Sequence, residues 1–101
     1  MIYELAIHPD AEKEWAKLDG SIKRRFKEKL AEERLKHPRV VKDALREFPD
    51  CYKIKLRSAG VRIVYRVDEG RIRIVVVAVG KRDSGKQRDV YDIAFWRLSE
   101  Q

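Results

Sequence analysis

Basic side chains alternate with apolar ones along two neighbouring segments of the chain. In the first segment Tyr52, Ile54 and Leu56 alternate with lysines, and in the second a similar apolar set alternates mostly with arginines. A period of two is typical of strands that bury one face. The cations expected on the opposite face are Lys53, Lys55, Arg57, Arg62 and Arg66. No carboxylate is interleaved with them, so their mutual repulsion costs stability unless an anion binds.

A cationic face with tyrosines nearby suits the binding of RNA, through phosphate contacts and base stacking. RNA carries its own nucleophile, the 2′-OH, so its cleavage needs only a base, cations for the phosphorane and an acid for the leaving 5′-oxygen. Lys55 is flanked by Lys53, Arg57 and Arg62, and neighbouring cations lower the pKa of a lysine from its usual value of about 10.4. Arg82 is too weak an acid to be a good proton donor, so we expect it mainly to neutralise phosphate charge. The residues alone leave catalysis and simple anion binding equally open.

Other kinds of site find no support in the residue types. His8 and His37 lie far apart and neither has a metal-ligand partner at suitable spacing, which argues against a zinc site. No glycine-rich phosphate loop precedes a helix, and no carboxylate pair occurs in the sheet region. Cys51 is expected to be a packed thiol rather than a nucleophile. The sequence therefore predicts no metal and no cofactor.

Composition bounds the class of protein. A length of 101 residues predicts a single domain over 1–101, and the formal net charge of +7 favours an anionic partner, nucleic acid first and acidic protein second. The acidic N-terminal segment does not resemble a signal peptide, and the longest apolar stretch, Ile74 to Val79, is far shorter than a membrane helix. One cysteine in the whole chain fits a reducing, cytoplasmic location.

The first forty residues predict a strand and a helical hairpin. Apolar residues alternate in IYELAIH before Pro9, and a helix is expected from Asp10 to Leu18, with the Asp10 carboxylate as its cap. A second helix is expected after Gly20 and as far as Pro38. The apolar residues at helical spacing are Ala11, Trp15 and Leu18 in the first helix and Ile22, Phe26 and Leu30 in the second. Because carboxylates are interspersed among their cations, these helices are expected to act as scaffold.

Three strands and a helix are predicted for the rest of the chain. After the two basic strands, the β-branched run in RIRIVVVAV predicts a central strand buried on both faces. GKRDSGKQRD is expected to be a polar loop, and VYDIAFWRLSE a closing helix. The predicted fold is α+β: a β-α-α-β-β-β order, with an antiparallel helical hairpin on an antiparallel sheet and a C-terminal helix. Of the net charge, +6 belongs to residues 52–101.

Two segments resemble a known family. DCYKIKLRSAGVRIVYRV followed by VVVAVGKR, together with HPDAEKEWAKLD near the start, is similar to the RelE branch of the RelE/ParE toxins. The resemblance covers nearly the whole chain. It implies a metal-independent, ribosome-dependent endoribonuclease that enters the vacant decoding site and cuts the mRNA codon there by attack of the 2′-OH. It also implies a cognate RelB-type antitoxin that holds the toxin inactive, with the complex bound to operator DNA through the antitoxin.

The resemblance also implies roles for single residues. Lys55 matches the candidate general base, Lys53 and Arg62 match the phosphate-stabilising positions, Arg82 acts at the leaving group, and Tyr91 stacks on or orients the nucleotide. The segment DSGKQRDV is longer than the usual linker, so the match at Tyr91 is the loosest. Further contacts with RNA or the ribosome are expected from Arg57, Arg66, Lys81, Lys86 and Arg88.

Two alternatives and one ambiguity stay open at this point. The chain could be a ParE-type toxin that poisons DNA gyrase, or a non-catalytic RNA-binding or corepressor module. The last helix has too many apolar residues for one stripe, among them Ile93, Phe95 and Trp96. Either it packs into the core or it forms part of an antitoxin interface.

Overall fold

The computed structural model describes residues 2–81 and 89–99. Its main elements are β1 (Glu4–Ile7), α1 (Pro9–Ala16), α2 (Gly20–Lys29), β2 (Cys51–Leu56), β3 (Val61–Asp68), β4 (Arg73–Lys81) and α3 (Val90–Ser99). A π-helical turn at Leu30–Arg34 continues α2, and a short 3-10 turn at Val41–Asp43 follows it. None of the helices within these ranges has the length and apolarity that a membrane span requires.

The four strands form one sheet in the order β1-β4-β3-β2. β2 pairs with β3 and β3 pairs with β4, both antiparallel, while β1 pairs with β4 in parallel. The predicted α+β class and element order are confirmed, but the sheet is mixed rather than wholly antiparallel. The two turns after β2 leave β4 running in the direction of β2. The helical segment returns the chain so that β2 runs in the direction of β1, and β1 therefore joins β4 in parallel.

The sheet is covered on both faces. Ile54, Ile63 and Tyr65 lie in the larger core, with Ala11 of α1 and Phe26 of α2. The opposite face carries a smaller core, which consists of Val64, Val77, Ala78, Val90 and Ala94. A β-bulge opposite Val64 and Tyr65 puts two consecutive residues of β4 on this second face, where α3 packs. The predictions of a twice-buried β4 and of Tyr52 and Tyr65 in the core are confirmed.

The helix starts differ in one detail from the sequence-based expectation. His8, rather than Asp10, caps α1, because its Nδ1 accepts the backbone N–H of Asp10 at 3.1 Å. Asp10 lies inside the first turn, where its negative charge still favours the helix N-terminus. Asp19 caps α2 through a hydrogen bond from the Ser21 backbone N–H.

The end of the α2 stripe carries a buried arginine. Ile22, Phe26 and Leu30 follow one another at four-residue steps, and the next step along the same stripe is Arg34, which is 3% exposed. The π-helical turn closes here with a 2.8 Å hydrogen bond from the Leu35 N–H to the Leu30 carbonyl. The helix thus continues past Lys29 towards Pro38, as predicted, but its last turn buries the charged side chain of Arg34 where the stripe predicts an apolar one.

Arg34 ties four parts of the chain together. Its Nη2 donates to Asp43 Oδ2 at 2.7 Å, and its Nη1 donates to the Lys53 carbonyl at 2.9 Å and to Tyr65 Oη at 3.0 Å. Tyr65 Oη in turn donates to the Pro38 carbonyl at 2.6 Å. Hydrogen bonds to charged groups are among the stronger ones in proteins. This network fixes the position of β2 relative to the end of the helix.

We predict that Arg34→Ala lowers the free energy of unfolding by about 3–5 kcal/mol, because it leaves the largely buried carboxylate of Asp43 without its partner. Arg34→Met combined with Asp43→Leu is expected to lose less, since no unpaired charge is then buried. Urea unfolding followed by circular dichroism measures both variants. A loss below about 1 kcal/mol for Arg34→Ala would show that the pair has no structural weight.

Candidate functional site

The paired strands β2 and β3 place three predicted site residues side by side. Lys55 lies directly opposite Arg62 in the antiparallel register, and Lys53 lies opposite Val64. Side chains in such directly opposed positions have Cβ atoms about 4.5–5.5 Å apart. Val64 belongs to the smaller core under α3, so the three cations share the sheet face on which α3 packs. The predicted cationic face is therefore present, with Lys53, Lys55 and Arg62 all half-buried.

A first cavity of about 350 Å³ opens beside these lysines. Its lining includes Lys53, Lys55, Arg46, Glu47, Tyr91 and Phe95. α3 supplies the aromatic side of the cavity and β2 the cationic side. The cavity thus offers ammonium groups for a phosphate and an aromatic ring for a base, which is the combination that RNA binding uses.

The start of α3 holds Tyr91 at the cavity. Asp89 Oδ1 accepts the backbone N–H groups of Tyr91, at 3.0 Å, and of Asp92, at 3.1 Å, and so caps the helix. Phe95, one turn further on, packs against Phe48 with ring centroids 5.1 Å apart. Tyr91, Lys53 and Lys55 therefore line the same cavity, and the role expected of Tyr91 stays a prediction.

A second cavity of about 250 Å³ lies on the other side of Lys55. It is lined by Lys29, Arg34, Lys42, Asp43, Lys55 and Arg57. Lys55 is common to both cavities, and Arg57 follows it by two residues at the end of β2. The cationic surface therefore extends past the first cavity in the direction of the helix end.

The pKa of Lys55 lies below the usual value for lysine. The positive charge of Lys53 is the largest cause, followed by partial desolvation and by the charge of Arg57, while Asp43 opposes the shift and Arg62 adds to it. The direction is the one that the sequence predicts from the flanking cations. A lower pKa increases the share of neutral amine at a given pH, and only the neutral amine can accept a proton.

The Arg62 guanidinium has spare donors. Its Nη1 makes one long hydrogen bond of 3.4 Å to the Val61 carbonyl. Its Nε is buried and finds no acceptor among residues 2–81 and 89–99. The Nε atoms of Arg34 and Arg97 have the same status, so it is the weakly engaged Nη groups of Arg62 that would donate to an anion placed beside it.

The remaining predicted contacts do not all converge on the cavities. Arg66 pairs with Cys51 at the opposite end of β2 and lines neither cavity, and Lys81 is exposed at the end of β4. Arg82, Lys86 and Arg88 lie outside the described residues. Cys51 is buried, and burial raises its pKa to about 11, which agrees with a packed thiol.

Sequence reasoning missed several cavity residues. Arg46 and Glu47 line the first cavity, and Lys29 and Lys42 line the second. Three of them lie in the irregular connection before β2, where no periodicity marks them, and Lys29 lies on a helix that was expected to act only as scaffold. Across the described part of the chain, no three His, Cys, Asp or Glu side chains are grouped as metal ligands.

A family model for the ParE toxin of type II toxin–antitoxin systems matches residues 5–84. The chain belongs to this family. The predicted membership in the RelE/ParE toxins is thereby confirmed. The chain is 43% identical over 98 residues to the mRNA interferase toxin RelE of Escherichia coli K12. This alignment covers 97% of this chain and 99% of that protein. It is 44% identical over the same length to a putative RelE-like toxin protein of E. coli.

Solved structures agree with the family assignment. An arginine-to-alanine double variant of E. coli toxin RelE in the free state matches with a TM-score of 0.85 at 42% identity, over 97% of this chain and 99% of that one. A chain of the intact E. coli RelBE toxin–antitoxin complex matches with a TM-score of 0.77 at 44% identity, over 80% of this chain and 98% of that one.

We predict that Lys53→Met raises the pKa of Lys55 towards the ordinary lysine value of about 10.4, because it removes the largest cause of the shift. A larger share of Lys55 is then protonated at any pH below that value. An NMR titration of the Lys55 side chain measures the change. Lys13→Met, the same charge change on an exposed position of α1, is the control and should leave the titration unmoved. A Lys55 pKa that stays constant or falls in Lys53→Met contradicts the electrostatic account.

Proposed function

We propose that this chain is an mRNA interferase toxin of the RelE type, an endoribonuclease that inhibits translation. The observation that carries the proposal is the convergence of Lys53, Lys55 and Arg62 on one sheet face, beside a cavity with Tyr91 on its other wall. The relatives at 43–44% identity, which carry RelE names, support it.

In the proposed reaction, neutral Lys55 removes the proton from the 2′-OH of the target nucleotide. The 2′-oxygen attacks the adjacent phosphorus, and the bond from phosphorus to the 5′-oxygen breaks. The leaving 5′-oxygen takes up a proton from water, and Lys55 afterwards releases its proton to water, so no proton is gained or lost overall. Lys53 and Arg62 stabilise the charge that develops on the phosphorane. Arg82 is assigned to the leaving group and Tyr91 to stacking on the base. The products are a 2′,3′-cyclic phosphate and a 5′-OH end.

Dependence on the ribosome has a physical reason. The first cavity is an open groove whose cations bind phosphate without regard to sequence, and a lysine base with a modest pKa shift gains most when its target is already oriented. A codon held in the vacant decoding site supplies that orientation. Free mRNA is expected to be cut poorly, and binding should weaken as salt rises because counterions are released on association.

The proposed protein partner is a RelB-type antitoxin with acidic side chains. The net charge of +7 favours such a partner, and a RelE chain of similar fold was solved in the intact RelBE complex. α3 packs Val90 and Ala94 into the smaller core but leaves Trp96 52% exposed, so both interpretations of this helix retain support. We further propose a cytoplasmic location, a single domain over 1–101, and operator binding through the antitoxin.

Gyrase inhibition of the ParE type is the second candidate, because the matching family model is described as the ParE toxin. It requires no reaction on RNA. A non-catalytic RNA-binding module likewise predicts binding without new RNA ends. The appearance or absence of such ends separates both candidates from the interferase.

We expect the wild-type protein to cut mRNA within the codon exposed on ribosomes with a vacant decoding site. Lys55→Ala should lower the single-turnover rate by about 10²–10⁴-fold, the usual contribution of a general base. Primer extension maps the 5′ ends. Lys13→Ala, an equal charge change on an exposed position of α1, is the matched control and should retain the wild-type rate.

Two results would each contradict a different part of the proposal, the first the assigned base and the second the interferase activity itself. Unchanged cleavage by Lys55→Ala would exclude Lys55 as the base while leaving the interferase intact. Absence of cleavage by folded wild-type protein, with loss of gyrase supercoiling activity in a parallel assay, would favour the ParE-type activity instead.

A further inference from the structure

The second cavity has a strong excess of positive charge. Five of its six lining residues are cations: Lys29, Arg34, Lys42, Lys55 and Arg57. Asp43 is the one carboxylate in the lining, and Arg34 already engages it at 2.7 Å. Within the described ranges, the side chains of Lys29, Lys42, Lys55 and Arg57 form no ion pair. The cavity therefore holds four cationic groups that have no internal counter-charge.

Concave shape increases the effect of this charge. Cations around a cleft with protein walls produce a more concentrated positive potential than the same cations on a flat surface. The charge of Arg57 also contributes, after that of Lys53, to lowering the pKa of Lys55. An anion seated in the cavity would relieve the repulsion among the four groups.

The floor of the cavity is rigid. Arg34 is 3% exposed and is held by Asp43, Tyr65 Oη and the Lys53 carbonyl, so its guanidinium does not depend on a ligand for its position. Lys42 and Asp43 lie on the short turn that this network anchors. The site is thus preorganised on its inner side, while the outer lysine and arginine side chains are free to adjust to a ligand.

The position of Lys55 connects the two cavities. Consider an RNA whose reacting phosphate lies at Lys55 in the first cavity. On its way to the second cavity it would pass Arg57, the next cation along the protein chain after Lys55. RNA carries a phosphate at every nucleotide, so an adjacent nucleotide presents the anion that the second cavity lacks.

We propose that the second cavity binds a backbone phosphodiester of RNA other than the one that reacts, through Lys29, Lys42 and Arg57. This assignment rests on the proposed function for the identity of the strand. The phosphodiester belongs either to the target mRNA or to the ribosomal RNA that surrounds it. The described lining has no aromatic side chain on which a base could stack, so we assign the site to the RNA backbone, where it contributes affinity and register.

The test measures binding separately from cleavage. Fluorescence anisotropy with a 2′-O-methyl hexaribonucleotide, which lacks the nucleophile, gives Kd as a function of salt for the full-length protein. Lys29→Ala combined with Lys42→Ala should weaken binding about tenfold and reduce the magnitude of the slope of log Kd against log salt by about 0.7, the value for one phosphate on a single strand. Lys13→Ala combined with Lys17→Ala, at exposed positions in α1 and at its C-cap, controls for net charge.

The outcomes distinguish the sources of the phosphodiester. Weaker binding of the free hexaribonucleotide assigns the site to the mRNA strand. Unchanged binding of that RNA with at least fivefold weaker binding to vacant ribosomes assigns it to ribosomal RNA. Unchanged binding to both, or a loss confined to an acidic antitoxin peptide, overturns the proposal. Because the hexaribonucleotide cannot react, failure of the interferase activity leaves this result interpretable. Thermal unfolding of the double variant verifies that it is folded.

Discussion

The pairing of Arg34 with Asp43 is the constraint on which the working face of this protein depends. One guanidinium, buried at the end of the helical stripe, reaches the turn before β2, the backbone of β2 and a hydroxyl on β3. The bond to the Lys53 carbonyl is the functional link, since it fixes the strand that carries both lysines. A buried charge costs desolvation, and the hydrogen bonds of Nη1 and Nη2 offset that cost here, while Nε finds no acceptor among residues 2–81 and 89–99.

On the cationic face of β2 and β3, strand geometry holds like charges close together although they repel one another. Alternation brings Lys53 and Lys55 to one face, and the antiparallel register brings Arg62 opposite Lys55. Their proximity destabilises the unliganded fold but lowers the pKa of Lys55, which is what a base near neutral pH requires. In the proposed reaction, the repulsion that lowers stability at this face is also what would make Lys55 available as a base.

The alternation in the sequence predicted which cations share one face of the sheet, but not the buried hydrogen-bond network beneath them. The period of two in β2 and β3 was sufficient to place Lys53, Lys55 and Arg62 together, because side-chain direction in a strand is fixed by the backbone. Arg34 escaped prediction because its partners lie on three other elements and a charge on an apolar stripe looks like solvent exposure. The parallel pairing of β1 and the cap by His8 likewise depend on tertiary context. Lys29 and Lys42 line one cavity only because the end of α2 lies beside the Val41–Asp43 turn, and the sequence pattern does not show that proximity.

Because Lys55 lines both cavities, the two requirements of the proposed reaction conflict there: binding phosphate and keeping the amine neutral. In the proposed reaction, a phosphate in either cavity would neutralise the cations that lower the pKa of Lys55, so substrate binding would raise that pKa and reduce the share of neutral amine. Each unit of increase reduces the reactive share about tenfold. Precise orientation of a reacting group is worth far more, up to about 10⁵-fold or beyond. A site of this design therefore gains from any phosphate contact that holds the strand in register. Under the proposed mechanism, a second anchoring phosphate would therefore speed the reaction, although its charge would make Lys55 less available as a base.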